Sequence, residues 1–140
     1  MKPQFLTPLR LEWLDSESWL VCEPLVFDSA IVGRYTVPTG FVTDMASVPR
    51  LPLVYLTTGN TAHAAGTLHD HAYQTHACTR ATADAVFYEA MTASGEPWWR
   101  RSLMYRAVRL FGGAAYRSGP ARYRTLGNEA LPAPLPGDLG

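Results

Sequence analysis

The sequence predicts an α+β domain in which an N-terminal antiparallel β-meander is followed by a C-terminal half of three helices. Apolar residues alternate with polar ones over residues 4–36, which is the period of strands with one buried face. Beyond residue 60 the apolar residues recur every three to four positions, which is the period of amphipathic helices. Prolines at every second position near the end, Pro132, Pro134 and Pro136, predict an extended proline-rich tail.

Turn residues divide the strand region. The alternation runs up to a polar turn at residues 15–18 and resumes after it. Pro24 predicts that its strand is interrupted or lies at an edge, because proline has no amide hydrogen to donate. A further strand is expected at residues 35–37. Residues 45–53 contain two prolines and are expected to form an ordered loop rather than a long helix.

Each of the three helices is bounded by residues that start or stop helices. Side chains of asparagine and threonine cap the free amides at a helix start, proline suits the first turn, and glycine terminates a helix. The predicted helices begin at Asn60 or Thr61, at Thr79 or Thr82 and near Pro97, and they end at about Thr75 or His76, at Gly95 and at Gly112-Gly113.

The two halves of the chain carry opposite charge. The chain has 140 residues, of which 47% are hydrophobic and 17% charged, a composition typical of one globular domain. Residues 1–96 hold ten acids and five bases, which gives −5, and residues 97–140 hold seven bases and two acids, which gives +5. We predict a single domain over residues 1–117 and an extended tail over residues 118–140.

Cysteine spacing and hydropathy argue against several classes of protein. Cys22 and Cys78 lie far apart and form no CxxC pair, which disfavours a zinc ribbon and a disulfide framework. The N-terminus has no apolar run of signal-peptide length, and nowhere do about 18 apolar residues follow one another. We therefore expect no signal peptide and no membrane span.

The stretch from Thr61 to Met91 contains all four histidines and is predicted to hold the functional residues. At the helical period, His69 and Tyr73 share a stripe that is otherwise apolar or small, and Asp84 lies on a second such stripe. Side chains on these stripes face neighbouring elements, and a buried aspartate needs a partner. We predict that a nitrogen of His69 lies about 2.6–3.2 Å from an oxygen of Asp84.

These residue types suit acid–base chemistry. A neutral imidazole held by a carboxylate can take a proton from water, and a second carboxylate can hold a cation that polarises a carbonyl or phosphoryl oxygen. His69 is the candidate base and Asp84 the acid that fixes its tautomer, while Tyr73 donates to Asp84 or closes the pocket. Asp70 lies roughly 100° further round the helix and is the candidate metal ligand.

Two structural interpretations compete with the catalytic one. If Thr82 caps the second helix, Asp84 is a first-turn carboxylate that interacts with the helix dipole. Alternatively, His69 and Tyr73 are core residues whose polar atoms are satisfied and which do no chemistry. The sequence leaves all three interpretations open.

A first resemblance concerns the helix pair itself. The runs LHD-x-x-Y at residues 68–73 and D-x-x-F-x-x-x-M at residues 84–91 resemble the core helices of phospholipase A₂ enzymes, especially the short prokaryotic ones. The resemblance implies a calcium-dependent lipid hydrolase in which His69 is the base, Asp70 a calcium ligand and Asp84 the orienting acid.

The chain departs from those enzymes around the calcium site. It lacks their cysteines beside the histidine and their glycine-rich calcium loop. Residues 40–44 are the candidate substitute loop, and they make Asp44 a second candidate calcium ligand that is expected near Asp70.

A second resemblance covers more of the chain. The motifs GFVTD-x-ASVPR at residues 40–50, LHD-x-x-Y at 68–73 and R-x-x-AD-x-x-F-x-x-AM at 80–91 are similar to those of a phage and prophage family catalogued only as a domain of unknown function. The similarity extends over residues 5–116 and implies a bacteriophage or prophage origin. The polar motif positions are Asp44, Ser47, Arg50, His69, Asp70, Arg80 and Asp84.

Zinc is the alternative metal. All four histidines and one cysteine lie within residues 63–78, and zinc accepts ligands of both types. His69 and His71 point about 200° apart on one helix, so they cannot bind one ion. The workable zinc sets are His69 with His76, or His69 and Asp70 with Asp44.

The basic end of the chain invites a phosphate or nucleic-acid interpretation, because no acid lies between Pro97 and Asn128. No single helix face collects its arginines, so we expect no sequence-specific recognition of nucleic acid. An acidic protein partner, or the acidic half of a second copy, accounts equally well for the charge asymmetry.

Two main functions follow from these patterns. One is a phage- or prophage-encoded, phospholipase-like hydrolase of ester bonds that uses a His-Asp dyad. The other is a non-catalytic virion or tail-assembly protein whose partners are other phage structural proteins or further copies of itself. A zinc-binding domain is a third possibility. The expected location is the host cytoplasm or the phage virion.

Overall fold

The computed structural model describes residues 2–16, 18–43, 62–126 and 135. Within these residues the N-terminal part contains six short strands. They are β1 (Gln4–Phe5), β2 (Leu11–Asp15), β3 (Ser18–Val21), β4 (Leu25–Ser29), β5 (Gly33–Val37) and β6 (Val42–Thr43). Every pairing between them is antiparallel, and helices follow, so the predicted α+β class is confirmed.

The strands form two three-stranded sheets rather than one continuous meander. One sheet has the order β1-β4-β5 and the other the order β2-β3-β6. Pro24 lies between β3 and β4, as expected for a residue that interrupts a strand. The chain leaves one sheet there and enters the other. Leu25, Phe27 and Val37 are fully buried, so the β4-β5 pair supplies the main apolar face of the sheets.

Among the described residues, three long helices and two short ones follow the strands. They are α1 (His63–Thr75), α2 (Arg80–Ala93), α3 (Trp98–Phe111), α4 (Gly113–Arg117) and α5 (Gly119–Arg122). The Thr79 hydroxyl accepts the Thr82 amide at 3.2 Å and caps α2. Gly95 ends the turn after α2 with a φ of 83°, a conformation that glycine adopts without strain. The predicted caps Asn60 and Thr61 lie outside the described residues.

Helix α1 is the centre of the fold. All its residues from Ala65 to Thr75 are buried, because α2, the strands β5 and β6, and the short helices pack around it. Each face presents a pair of polar side chains one turn apart to a different neighbour. The pairs are His69 with Tyr73, Asp70 with Gln74, and His71 with Thr75.

The segment after the predicted boundary at residue 117 contacts the domain. Helix α5 crosses α1 so closely that a side chain at Gly119 would collide with the backbone carbonyl of Tyr73. Thr125 then forms a β-bridge with Phe41. Leu135 donates its amide to the Ala77 carbonyl at 2.8 Å and packs against the core.

The helices are too short or too polar for a bilayer. Among the described residues, no helix has the length and apolar character that crossing a membrane requires.

Candidate functional site

His69 and Asp84 meet between α1 and α2. The Nε2 atom of His69 lies 2.7 Å from Oδ1 of Asp84, so the contact expected from the two stripes is present. Both side chains are completely buried. Because an ionised carboxylate only accepts hydrogen bonds, Nε2 carries the proton and Nδ1 is the basic nitrogen. Nδ1 is also buried, and no described residue supplies it with a hydrogen-bond partner.

Two further side chains bind the same carboxylate. The Tyr73 hydroxyl donates to Oδ1 of Asp84 at 2.6 Å, and Nη1 of Arg109 donates to Oδ2 at 2.8 Å. Asp84 therefore receives donors from α1 and α3 while standing on α2. We call His69, Tyr73, Asp84 and Arg109 the Asp84 centre. Its aspartate and arginine compensate each other, which is what a buried charge requires.

The hydrogen bonds keep Asp84 ionised in spite of its burial. Burial alone would raise the pKa of this carboxyl, but the hydrogen bonds from His69 and Tyr73, the positive charge of a protonated His69 and the hydrogen bond from Arg109 together hold the pKa below its usual value. Burial and the hydrogen bond to Asp84 raise the pKa of the Tyr73 hydroxyl, so this phenol remains a donor.

Aromatic rings fix the plane of the His69 imidazole. The ring centroid of Tyr73 lies 4.1 Å from that of His69, and the ring centroid of Phe87 lies 4.5 Å away. Tyr73 comes from the next turn of α1 and Phe87 from the next turn of α2 after Asp84. The same two helices that bring the imidazole and carboxylate together thus also hold the ring between aromatic neighbours.

Arg80 positions the helix that carries Arg109. Its Nη2 donates to the carbonyl of Val108 at 3.0 Å and also to the carbonyl of Arg109. These carbonyls belong to the last turn of α3, and the Val108 carbonyl also accepts the Gly112 amide at 2.9 Å. Arg80 was predicted only as a motif position, and in the structure it ties the start of α2 to the end of α3.

Asp70 lies on another face of α1 and has other partners. Its Oδ2 accepts the Thr43 hydroxyl at 2.7 Å and the Gln74 amide at 3.1 Å, and its Oδ1 lies 3.9 Å from Nη1 of Arg122. None of these partners belongs to the Asp84 centre. The expected approach of Asp44 lies outside the described residues, as do the other loop positions Ser47 and Arg50.

The remaining histidines are held separately. His71 Nδ1 bonds the Tyr35 hydroxyl at 2.7 Å, and burial lowers the pKa of this imidazole to about 3. His76 donates from Nε2 to the Tyr116 carbonyl at 2.6 Å, and its imidazole stacks on the Tyr116 ring. His69 and His76 thus have different partners, and the described part of the chain holds no group of three or more potential metal ligands.

The structure also rules out one of the structural interpretations of Asp84. Thr79 caps α2, so Asp84 stands five residues beyond the cap, and it is not the first-turn carboxylate that a cap at Thr82 would make it. Arg109 is the member of the centre that was not among the predicted site residues. Two signals pointed to it: it lies in the run VR-x-FG at residues 108–112, which also resembles the phage and prophage family, and a buried carboxylate beside an imidazole calls for a cation.

Comparison with known protein families gives a match over most of the chain. The family model described as "Protein of unknown function (DUF1353)" matches residues 19–108. The matched range includes His69, Tyr73 and Asp84 and ends one residue before Arg109. No curated protein and no solved structure matches the chain.

Proposed function

The chain belongs to the DUF1353 family of proteins of unknown function, and we propose that it is a phage- or prophage-encoded hydrolase of ester bonds with His69 as its general base. The resemblance of the motifs at residues 40–50, 68–73 and 80–91 to phage and prophage proteins supports the origin. The asymmetry of the His69 imidazole supports the activity. Its Nε2 is bound by a carboxylate, whereas its Nδ1 has no partner among the described residues.

This asymmetry is what a general base requires, because a base needs one nitrogen held by an acceptor and a free lone pair on the other. His69 has both features, although an unpartnered buried polar atom costs about 1–3 kcal/mol. The Nε2 atom of His71 also has no partner among the described residues, but its Nδ1 meets the Tyr35 hydroxyl rather than a carboxylate. The carboxylate on the other nitrogen is therefore what distinguishes His69.

The proposed reaction is the hydrolysis of an ester by an activated water. Nδ1 of His69 takes a proton from the water while the water oxygen bonds to the carbonyl carbon of the ester. The carbon–oxygen bond to the alcohol then breaks, and the alkoxide leaves with the proton from Nδ1, which yields an acid and an alcohol. Asp84 stabilises the transient imidazolium, and its lowered pKa means that it does so as a carboxylate.

Calcium at Asp70 stays a prediction of the phospholipase resemblance, as does Asp44 as its second ligand. Among the described residues the surroundings of Asp70 do not fit calcium. They supply a hydroxyl, an amide donor and a guanidinium 3.9 Å away, which itself brings positive charge to the carboxylate. No step of the proposed reaction is therefore assigned to the ion.

Complete burial favours a second candidate function. His69 and Asp84 are both inaccessible to solvent, and Tyr73 is fully buried. A substrate or water reaches Nδ1 only if the surrounding residues move. In a non-catalytic virion or tail-assembly protein, the same centre would hold α1, α2 and α3 together, and the partners would be other phage structural proteins or copies of the chain.

Hydrolysis assays with matched variants separate the two functions. Wild-type protein is tested on p-nitrophenyl esters of short and long acids and on phospholipid vesicles, with calcium or with a chelator. His69→Gln should lower the rate by about 10²–10⁴-fold, the usual contribution of a general base. His63→Gln, a half-buried histidine at the start of α1, should leave it unchanged. Circular dichroism and melting confirm that both variants are folded.

The result that contradicts the hydrolase is a folded His69→Gln variant with full activity, or a wild-type protein that cleaves none of these esters. In the second case, a clearly lowered melting temperature of His69→Gln would favour the structural function. Rates that collapse on chelation and return with calcium would support the ion at Asp70.

A further inference from the structure

Gly113 opens a gap between two arginine side chains. It is the first residue of α4, directly after the end of α3. A Cβ atom placed on Gly113 would lie 3.1 Å from Nη1 of Arg117 and 3.8 Å from Nη1 of Arg80. Two guanidinium groups from different helices therefore border one position that has no side chain of its own.

The two charges lack a carboxylate among the described residues. Arg117 is exposed and makes no hydrogen bond or ion pair with a described residue. Arg80 donates from Nη2 to backbone carbonyls, which fixes its guanidinium but does not neutralise it. The neighbouring carboxylate, Asp84, already binds Arg109 together with the other members of its centre. Like charges held together in this way favour an anion between them.

We propose that Arg80, Arg117 and the gap at Gly113 form a binding site for a phosphate group. The planar guanidinium of Arg117 can donate two parallel N–H bonds to the oxygens of a phosphate. Arg80 offers Nη1, because its Nη2 donates to backbone carbonyls and its Nε is buried. A glycine at this position leaves room for an oxygen where any other residue would place a Cβ atom. Arg80 also interacts with the Tyr73 hydroxyl, so the site borders the Asp84 centre, and its test measures binding rather than hydrolysis.

The neighbouring surface indicates what the phosphate carries. Leu110 and Phe111 stand just before the gap and are 74% and 71% exposed. Large apolar side chains beside a phosphate site suit a phosphate ester with an apolar substituent, and a phospholipid headgroup in a membrane has that chemistry. A free phosphate ion carries the same charged group but has no apolar substituent. The experiment therefore has one arm for each source.

The first arm titrates inorganic phosphate into the intact protein at constant ionic strength set with chloride, and follows the Gly113 amide by nuclear magnetic resonance. Constant ionic strength removes general screening effects. Arg117→Gln should weaken phosphate binding by about tenfold or more, the usual effect of losing a hydrogen bond to a charged group. Gly113→Ala should weaken it similarly without changing any charge, because the methyl group fills the gap.

Arg106→Gln is the matched control. Arg106 is an exposed arginine of α3 for which the described residues provide no ion pair, so its loss removes the same charge far from the gap. The second arm measures co-sedimentation with vesicles of phosphatidylcholine containing phosphatidylglycerol, compared with pure phosphatidylcholine. Binding to the anionic vesicles should fall in Arg117→Gln and Gly113→Ala and persist in Arg106→Gln.

Either arm with this pattern of variants supports the site and identifies the source of the phosphate. The proposal is overturned if wild-type protein binds in neither arm. It is equally overturned if Arg106→Gln weakens binding as much as Arg117→Gln, because the effect would then be one of net charge, or if Gly113→Ala binds like the wild type.

Discussion

Helix α1 buries two histidines on different faces, and the two are held in different ways. His69 faces α2 and meets a carboxylate that is also bound by an arginine. His71 faces β5 and meets the phenol of Tyr35. Both imidazoles are almost completely inaccessible to solvent. Burial alone therefore does not distinguish them, whereas the partner does.

The partner decides which protonation states each imidazole can adopt. No described carboxylate bonds His71, and burial lowers its pKa to about 3, so it remains a neutral side chain of the core. Asp84 offers His69 a negative charge that would stabilise an imidazolium. The comparison assigns a structural role to the face with His71 and makes the face with His69 the candidate for chemistry.

The largest loss of stability is expected from removing the charge of Asp84. Asp84→Asn should lower the free energy of unfolding by about 3–5 kcal/mol, because it removes the fully buried charge that His69, Tyr73 and Arg109 all bind. Urea unfolding measures the change. Glu23→Gln is the control, since Glu23 pairs with Arg10 and both side chains are more than half exposed, and such pairs contribute about 0–1 kcal/mol. Equal losses in the two variants would mean that the Asp84 centre is no more than a surface ion pair.

The second largest effect is expected at acid pH, where His71 and Asp84 should lose their contributions to the free energy of unfolding in different pH ranges. The folded pKa of His71 lies below its unfolded value of 6.5, so the unfolded chain binds more protons between these values. The contribution of His71 is present above pH 6.5 and is lost as the pH falls towards 3. Between pH 6.5 and 4 the loss should be roughly 3 kcal/mol. The lowered pKa of Asp84 places its own loss below the usual carboxyl value of 3.8.

Urea unfolding at a series of pH values tests this assignment. His71→Asn should flatten the pH dependence between 6.5 and 4, because asparagine does not titrate. A slope that persists unchanged in His71→Asn would show that another group takes up the proton.

A smaller effect separates the two tyrosines. Tyr73→Phe removes a hydrogen bond to an ionised carboxylate and should cost about 1.5–3 kcal/mol. Tyr35→Phe removes a hydrogen bond to a neutral imidazole and should cost about 0.5–1.5 kcal/mol. Both phenols are fully or almost fully buried, so the variants differ mainly in the charge of the partner. Thermal melts of the two variants measure the two losses of stability. A larger loss for Tyr35→Phe would contradict the expectation that the hydrogen bond to the charged partner is the stronger one.

Local signals in the sequence predicted the helices and the contact at the centre of the site. Thr79 marks a helix start through its side-chain cap and Gly95 marks a helix end through its positive φ, so both signals are readable without the fold. The contact between His69 and Asp84 was readable because each residue interrupts an otherwise apolar helical stripe.

Contacts between distant parts of the chain were not readable in the same way. The pairing of β1 with β4, which divides the strands into two sheets, depends on the tertiary arrangement rather than on either strand. The same holds for Arg109, which reaches Asp84 across a separation of 25 residues. Its place in the run VR-x-FG at residues 108–112 did not indicate which carboxylate it binds.

The measurement that tests the central claim most directly is the position of the proton on His69. Long-range proton–nitrogen spectra of protein with labelled histidines at pH 8 report each ring nitrogen, and His69→Gln assigns the signals. We predict that Nε2 is protonated and Nδ1 is not, and that Asp84→Asn abolishes this preference. A proton on Nδ1 of His69 in the wild-type protein would contradict the account, because the imidazole would then have no free basic nitrogen to act on a substrate.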